Sequence, residues 1–379
     1  MDFSLTEEQR LLKESVDRLI ADKYTFDERM KIAGSADGYS EEMWTVFAEL
    51  GLLAVPFPED LGGLGGGGVD LMIVMEAFGR GLVVEPYLAT VVLGGGLVEA
   101  LGTARQKTEI LEAVIGGTRK LAFAHGEPDS RFELSQVRTT ATKSGDGWVL
   151  DGRKSVVING AQADDLIVSA RVSGELADED GIALFLVPRD TDGLMLRSSP
   201  SIDGGQAAEV VLNDVRLGAD AELGAPGQAY PAIEQVTARG IAALCAEAVG
   251  AIEVTNDITL EYLKTRKQFG KPIGSFQALQ HRMVDMRVAL EEARSMAVLA
   301  AAKLGADRAE RERSVSAAKS LIGRAARHVA EESIQMHGGI AMTWEYSVGH
   351  YCKRLVMIDH QLGDVDHHEE RFIRFIDAA

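Results

Sequence analysis

The feature that most constrains this chain is a double change of hydrophobic period along its 379 residues. From Thr6, the run TEEQRLLKESVDRLI sets Leu11, Leu12, Val16, Leu19 and Ile20 at helical spacing behind a Thr6/Gln9 capping box. Helix-like stretches recur at about 41–52 and 69–79 and continue to about 114. Near Lys120 the pattern shortens to strand-length apolar runs punctuated by the turn dipeptides Asp146-Gly147 and Asp151-Gly152. LIVSARV at 166–172, GIALFLVP at 181–188 and AAEVVLNDVRL at 207–217 continue that style. From Tyr230 the helical period returns in long Ala/Leu/Val/Met stretches, broken at QFGKPIGS, 268–275. The expected fold is mainly α with a middle β domain. It comprises an N-terminal helical domain at 1–117, an antiparallel β-barrel or sandwich domain at 118–226, and a C-terminal four-helix bundle at 227–379.

Composition narrows the function. With 39 Lys and Arg against 58 Asp and Glu, the net charge of -19 disfavours a nucleic-acid partner. Cys245 and Cys352 are the only cysteines and have no metal-ligand spacing, so reduced buried thiols are expected rather than a disulfide or a zinc site. The stretch MDFSLTEEQR is acidic, and no run of 18 apolar residues occurs, so a cytoplasmic location with no membrane partner is expected. His367 and His368 are adjacent, which on a helix turns them about 100° apart, so no metal is expected there. GLGGGG at 63–68 contains G-x-G-x-x-G, but a Pro-rich charged segment precedes it instead of a strand. A loop is expected, not a dinucleotide fingerprint.

Two segments carry more specific information. In LEYLKTRKQFGKPIGSFQALQHRMVDM, 260–286, a helix ends, a Gly/Pro loop turns back and a second helix begins, with Arg266, Phe269-Gly270 and Phe276-Gln277 at fixed spacings. In ESIQMHGGIAMTWEY, 332–346, Gln335 is followed by Gly338-Gly339, a pair that lets backbone approach a ligand closely and leaves amides for phosphate oxygens. Both resemble signatures of the acyl-CoA dehydrogenase family. The resemblance extends over essentially the whole chain, with PEDLGGLGGG near the N-terminus and DVRLGADAELGAPGQAY at 214–230. Within the family the pattern is similar to small subunits of heteromeric enzymes of the pimeloyl-CoA dehydrogenase kind.

The resemblance implies an FAD cofactor, an acyl-CoA thioester substrate and an electron-accepting flavoprotein. It also implies an oligomer, homomeric or heteromeric, built as a dimer of dimers with a second subunit of this type. By the same resemblance Arg266, Gln268, Phe269, Gln277, Gln335, Gly338, Gly339, Asp364, His125 and Gly126 are the expected cofactor-binding positions. Arg266 is the residue type suited to a diphosphate.

The family's chemistry removes the α-proton of the thioester with a glutamate while hydride leaves the β-carbon for flavin, so the base must lie within reach of that proton. Here the resemblance fails. Aligning KRLVMIDHQLGDVDHH sets Leu362 at the usual glutamate position, and the alternative position on the first bundle helix falls at Gly240 or Arg239. Asp364 is the foremost surrogate base, with Asp359 and Glu247 behind it. The family's Thr-Glu-Pro and Gly/Ser loop reads Gly126-Glu127-Pro128-Asp129-Ser130-Arg131-Phe132, and Val156 and Ile158 stand where Trp and Thr usually touch the flavin ring. The expectation is an oxidoreductase subunit without its own base that completes the FAD site of a catalytic partner. The alternatives are an inert scaffold or acyl-CoA-binding subunit, a self-sufficient homo-oligomer with a surrogate base, and an oxygenase of the same fold.

Overall fold

The computed structural model describes residues 4–377; the opening Met-Asp-Phe of the acidic N-terminal stretch lies outside them. The elements run α1 (Glu7–Lys23), α2 (Phe26–Ala33), α3 (Glu41–Glu49), α4 (Gly68–Gly81), a π-helical stretch at Leu88–Gly95, α5 (Gly96–Leu101) and α6 (Ala104–Ile115). Strands follow as β1 (Leu121–Ala124), β2 (Thr140–Ser144), β3 (Gly147–Ile158), β4 (Asp165–Arg171), β5 (Ile182–Pro188), β6 (Leu194–Pro200), β7 (Gln206–Leu217) and β8 (Glu222–Leu223). The chain then returns to helix in α7 (Tyr230–Thr265), α8 (Gln277–Lys303), α9 (Arg308–His337), α10 (Val348–His360) and α11 (Val365–Asp377), with a minimal hairpin β9 (Lys267–Gln268) and β10 (Lys271–Pro272) between α7 and α8. Two compact units result. One contains residues 1–31, 67–83 and 241–379; the other contains 32–66 and 84–240.

In the first unit, the Thr6 hydroxyl accepts the Gln9 N–H and the Gln9 side chain accepts the Thr6 N–H, the capping box expected at the start of α1. α4 and α7 meet backbone to backbone. A Cβ on Gly79 would run into the Glu247 carbonyl, and one on Gly250 into the Glu76 carbonyl, so only glycine fits at either position. Arg80 locks the same contact. Its guanidinium donates to Glu253 at 2.8 Å, Asp17 at 2.9 Å and Glu76 at 2.5 Å, tying α1, α4 and α7 together. α8 joins through Arg294, which donates to Glu253 at 3.0 Å. Both cysteines are buried, free thiols.

In the second unit, an eight-stranded sheet has the order β6-β7-β3-β2-β4-β5-β8, with β1 paired to β4. Its core is Leu150, Leu166, Val168, Phe185, Val187, Val210, Leu212 and Val215, side chains that alternate inward along β3, β4, β5 and β7. Three details depart from the sequence expectation. Asp151-Gly152 is not a turn: β3 runs straight through it with a register shift, because Gly152 lies so close to Thr139 that a Cβ would stand 2.5 Å from its Oγ1. The sheet is not purely antiparallel, since β1 pairs with β4 in parallel. β6 was not foreseen, because LMLRSSP is mostly exposed along its length and carries little apolar signal. Asp146-Gly147 does mark a tight turn, with Ser144 paired to Gly147.

Among the described residues, no helix is long and apolar enough to cross a membrane, and no group of three or more His, Cys, Asp or Glu could hold a metal ion.

Gly250→Ala is expected to destabilise the protein by roughly 3 kcal/mol through forced separation of α4 and α7. Urea denaturation monitored by circular dichroism checks this. A midpoint unchanged from wild type would show that the two helices can part without cost.

Candidate functional site

The residues named from the two glycine-bearing motifs gather at one end of the helical unit. Near their C-termini α7 and α9 run side by side: Thr259 Oγ1 lies 2.7 Å from Ser333 Oγ, and Tyr262 stacks on His337 with ring centroids 4.5 Å apart. One turn beyond Tyr262 comes Arg266, and Gly338-Gly339 follow His337 directly. Burial pushes the His337 imidazole below its ordinary value, so it serves here as a neutral stacking partner whose Nδ1 meets the Ser333 carbonyl.

The hairpin is built for exposure. Phe269 and Gly270 form its turn, both at positive φ (53° and 78°), and the Ile273 N–H closes the loop on the Arg266 carbonyl at 2.8 Å. Phe269 is 91% exposed, an unusual state for a phenylalanine in a conformation that favours glycine. The side chains of Arg266, Gln268, Gln277 and Gln335 are exposed as well. At Gly270, Gly338 and Gly339 an added Cβ would meet nothing within 4 Å, so the chain's own packing does not require these glycines. Gly338 does have a backbone requirement, with φ 66° and ψ -145°, a region open essentially to glycine alone. This end of the unit therefore presents a guanidinium, three amides and an unobstructed glycine pair outward. That donor set fits the diphosphate of a dinucleotide cofactor.

The segment aligned with the family's base joins α10 to α11. Leu362 sits there half-buried at φ 56°, a strained conformation for leucine. Of the three candidate carboxylates, Asp364 and Glu247 are engaged in structure. Asp364 Oδ1 accepts the His367 N–H at 2.9 Å and so caps α11. Glu247 is buried, and both its oxygens accept from Arg354, at 2.5 and 2.7 Å. Asp359 Oδ1 is buried without a hydrogen bond. Position 240 is a buried glycine on α7, and the neighbouring Arg239 donates to Glu99 at 2.9 Å.

In the sheet unit, His125 and Gly126 directly follow β1 beside a buried polar network that sequence reasoning missed. Lys154 Nζ donates to Glu127 Oε1 at 2.7 Å, Ser169 Oγ at 3.0 Å and the His125 carbonyl at 3.2 Å. Glu127 also accepts from the Arg138 N–H at 2.7 Å, the Thr139 N–H at 2.9 Å and the Thr139 hydroxyl at 2.7 Å. Burial works to raise the Glu127 carboxyl, but the Lys154 charge and these donors hold it below the usual carboxylate range. Burial brings the Lys154 ammonium down to about 8 against the pull of Glu127. Burial, with Lys154 nearby, lowers His125 to about 3, so its ring is neutral; it stacks on Phe123 and meets Ser169 Oγ at 2.9 Å through Nδ1. The available signal was a lysine alternating inward on a strand, a position where a charge needs a buried partner.

Just past Lys154 the β3 register shifts again, and the Ser155 N–H donates to the Gly126 carbonyl at 2.8 Å. Val156 is thrown outward at φ 53°, 65% exposed, while Ile158 stays in the ladder opposite Ala207. Arg131 likewise holds a positive φ of 48° in the loop after Glu127. Both outliers lie where the sequence departs from the resembled pattern.

Three family models match the chain: "Acyl-CoA dehydrogenase, N-terminal domain" at residues 6–118, "middle domain" at 122–215 and "C-terminal domain" at 231–359. A probable acyl-CoA dehydrogenase of Bacillus subtilis, YngJ, is 32% identical over 354 residues, covering 92% of each chain. Among solved structures, one in the ChsE4-ChsE5 complex from Mycobacterium tuberculosis superposes with a TM-score of 0.90 at 26% identity over 100% of both chains. The FAD complex of PigA does so with 0.91 at 27% identity, over 100% of this chain and 99% of that one.

Lys154→Met is expected to cost about 3–5 kcal/mol, because it strands the Glu127 carboxylate in a dry site. Adding Glu127→Gln to it should recover much of that loss. Guanidinium unfolding of the two variants checks the coupling, and equal stability of Lys154→Met and wild type would refute it.

Proposed function

Because this chain belongs to the acyl-CoA dehydrogenase family, oxidoreductases acting on CH–CH donors, we propose that it is a flavoprotein-type subunit that completes the FAD site of a catalytic partner while lacking a base of its own. The observation that carries this reading is the contrast between two regions of the helical unit. Arg266, Gln268, Gln277, Gln335 and the open Gly338-Gly339 turn face outward, together with Phe269, which is 91% exposed. At the position aligned with the base stands Leu362, which cannot take a proton; Asp364 and Glu247 are bound into a helix cap and an ion pair, and Asp359 Oδ1 is buried without a hydrogen bond.

In this reading Arg266 and the Gly338-Gly339 amides hold the FAD diphosphate across a subunit boundary, and Phe269 packs against the partner. FAD, when bound, accepts the hydride lost from the β-carbon of an acyl-CoA thioester. This chain's residues bind and orient, while the proton is taken by a carboxylate of the other subunit. The resemblance to a protein from the two-component ChsE4-ChsE5 complex supports a heteromeric assembly, here a dimer of dimers in the cytoplasm that passes electrons to a separate flavoprotein. The proposed boundaries remain 1–117, 118–226 and 227–379. Val156 and Arg131 support the same division of labour, since a strained aliphatic and a strained cation replace the groups that would meet the flavin ring.

The test is the visible spectrum and FAD-to-chain ratio of the protein alone and after co-expression with a candidate large subunit, followed by anaerobic addition of acyl-CoA. Absent or half occupancy, with bleaching only beside the partner, is expected. Arg266→Ala should lower FAD retention of the assembly at least tenfold without changing its thermal unfolding, the loss of a charge-assisted phosphate contact. Full occupancy and substrate bleaching in the isolated chain would overturn the proposal in favour of a self-sufficient enzyme.

A further inference from the structure

Lys319 is among the largest fully buried side chains of the molecule, and nothing in the proposed division of labour uses it. It lies in the middle of α9 and reaches the end of α10 and the turn beyond. Its ammonium donates to the Asp359 carbonyl at 2.8 Å and to the Gly363 carbonyl. These two acceptors bracket the segment that contains Leu362. The peptide between them is held from the other side by α11: His368 Nε2 lies 3.0 Å from the Leu362 carbonyl, and its Nδ1 lies 3.2 Å from Ser316 Oγ, one turn before Lys319 on α9. Burial and the Lys319 charge drive the His368 imidazole well below its ordinary value, so the neutral ring donates through Nε2 and accepts from the serine.

The fit around this segment is tight. A Cβ on Gly363 would strike the His368 ring, and one on Gly323, one turn after Lys319, would strike the Asp359 carboxylate. Leu362 holds a left-handed conformation that is strained for its side chain, and such strain persists only where surrounding groups impose it.

We propose that Lys319 is a positioning residue whose ammonium, working with the His368 imidazole, clamps the backbone of 359–363 and imposes the left-handed turn at Leu362. The clamp sets where the side chain at 362 is presented, whatever that side chain is. It goes beyond the reading of the flavin site and does not depend on it.

The clamp has a sign that can be measured. Burial brings the Lys319 ammonium down to about 8, against the opposing pull of Cys245 on α7, Asp359 on α10 and Asp364 at the start of α11. His368 is the other titratable group against it and is already neutral; the Cys245 thiol is pushed up to about 12. An opening that exposes Lys319 to water returns it toward 10.5, so the open form binds an extra proton between about pH 8 and 10.5. The closed clamp therefore gains relative to the open one as pH rises through that window, by up to about tenfold per pH unit.

The experiment is amide hydrogen exchange on the full chain from pH 7 to 10, corrected for intrinsic rates. It is read at Gln361, His367 and His368, whose N–H groups are hydrogen-bonded to Met357, Asp364 Oδ1 and the Asp364 carbonyl. In wild type, protection at these amides should rise with pH above about 8. Lys319→Met should lower it roughly tenfold to hundredfold at pH 7 and abolish the pH slope, leaving amides in α1 and α4 unchanged. Unchanged protection in Lys319→Met, or an equal loss throughout the helical unit, would overturn the proposal. If that variant fails to fold, the wild-type profile decides alone, and the absence of a rising slope overturns it.

Discussion

The helical unit rests on one close approach of two backbones. At Gly79 and Gly250 the helices α4 and α7 meet with no side chain between them, each glycine against a carbonyl of the other helix. Contact at that distance leaves no room for apolar filling, so polar links around it hold the orientation. Arg80 and Arg294 bind Glu76, Glu253 and Asp17 at its edge. With α7 placed in this way, its C-terminal half can lie along α9, and only then do Arg266 and the Gly338-Gly339 turn share one end of the unit.

The sheet unit solves a different problem with a buried charge. Lys154 and Glu127 would each be costly alone in a dry interior, and together they are satisfied by Thr139, Ser169, Arg138 and backbone groups. This network pins the end of β1 to β3 at the place where β3 bulges and turns Val156 outward. The stretch of β3 that turns Val156 outward is thus scaffolded by a buried ion pair.

The same contrast recurs at the turn between α10 and α11. Lys319, His368 and Ser316 hold that backbone with care, while residue 362 is an aliphatic side chain without acid–base chemistry. Positioning and chemistry are separable here because the first is done by carbonyls and buried donors and the second by a single side chain.

Much of the architecture was legible from residue order. The capping box at Thr6, the helical period of α1, α4 and α7, the turn at Asp146-Gly147 and the strands around 166–188 all follow from local rules of spacing and turn chemistry, which need no knowledge of distant residues. Two signatures at fixed spacing also singled out Arg266 and Gly338-Gly339, because exposed glycines and a loop arginine owe little to the surrounding core. Tertiary structure alone decided the rest. The turn reading at Asp151-Gly152 failed because Gly152 serves a close approach to Thr139, just before β2, and β6 went unseen because an exposed edge strand gives only a short apolar alternation, Leu194 and Leu196. The roles of Glu247, Asp364, Lys154 and Lys319 were equally hidden. A carboxylate or lysine looks the same in sequence whether it is free, capping a helix or paired, and only the partner that folding brings within 3 Å settles which.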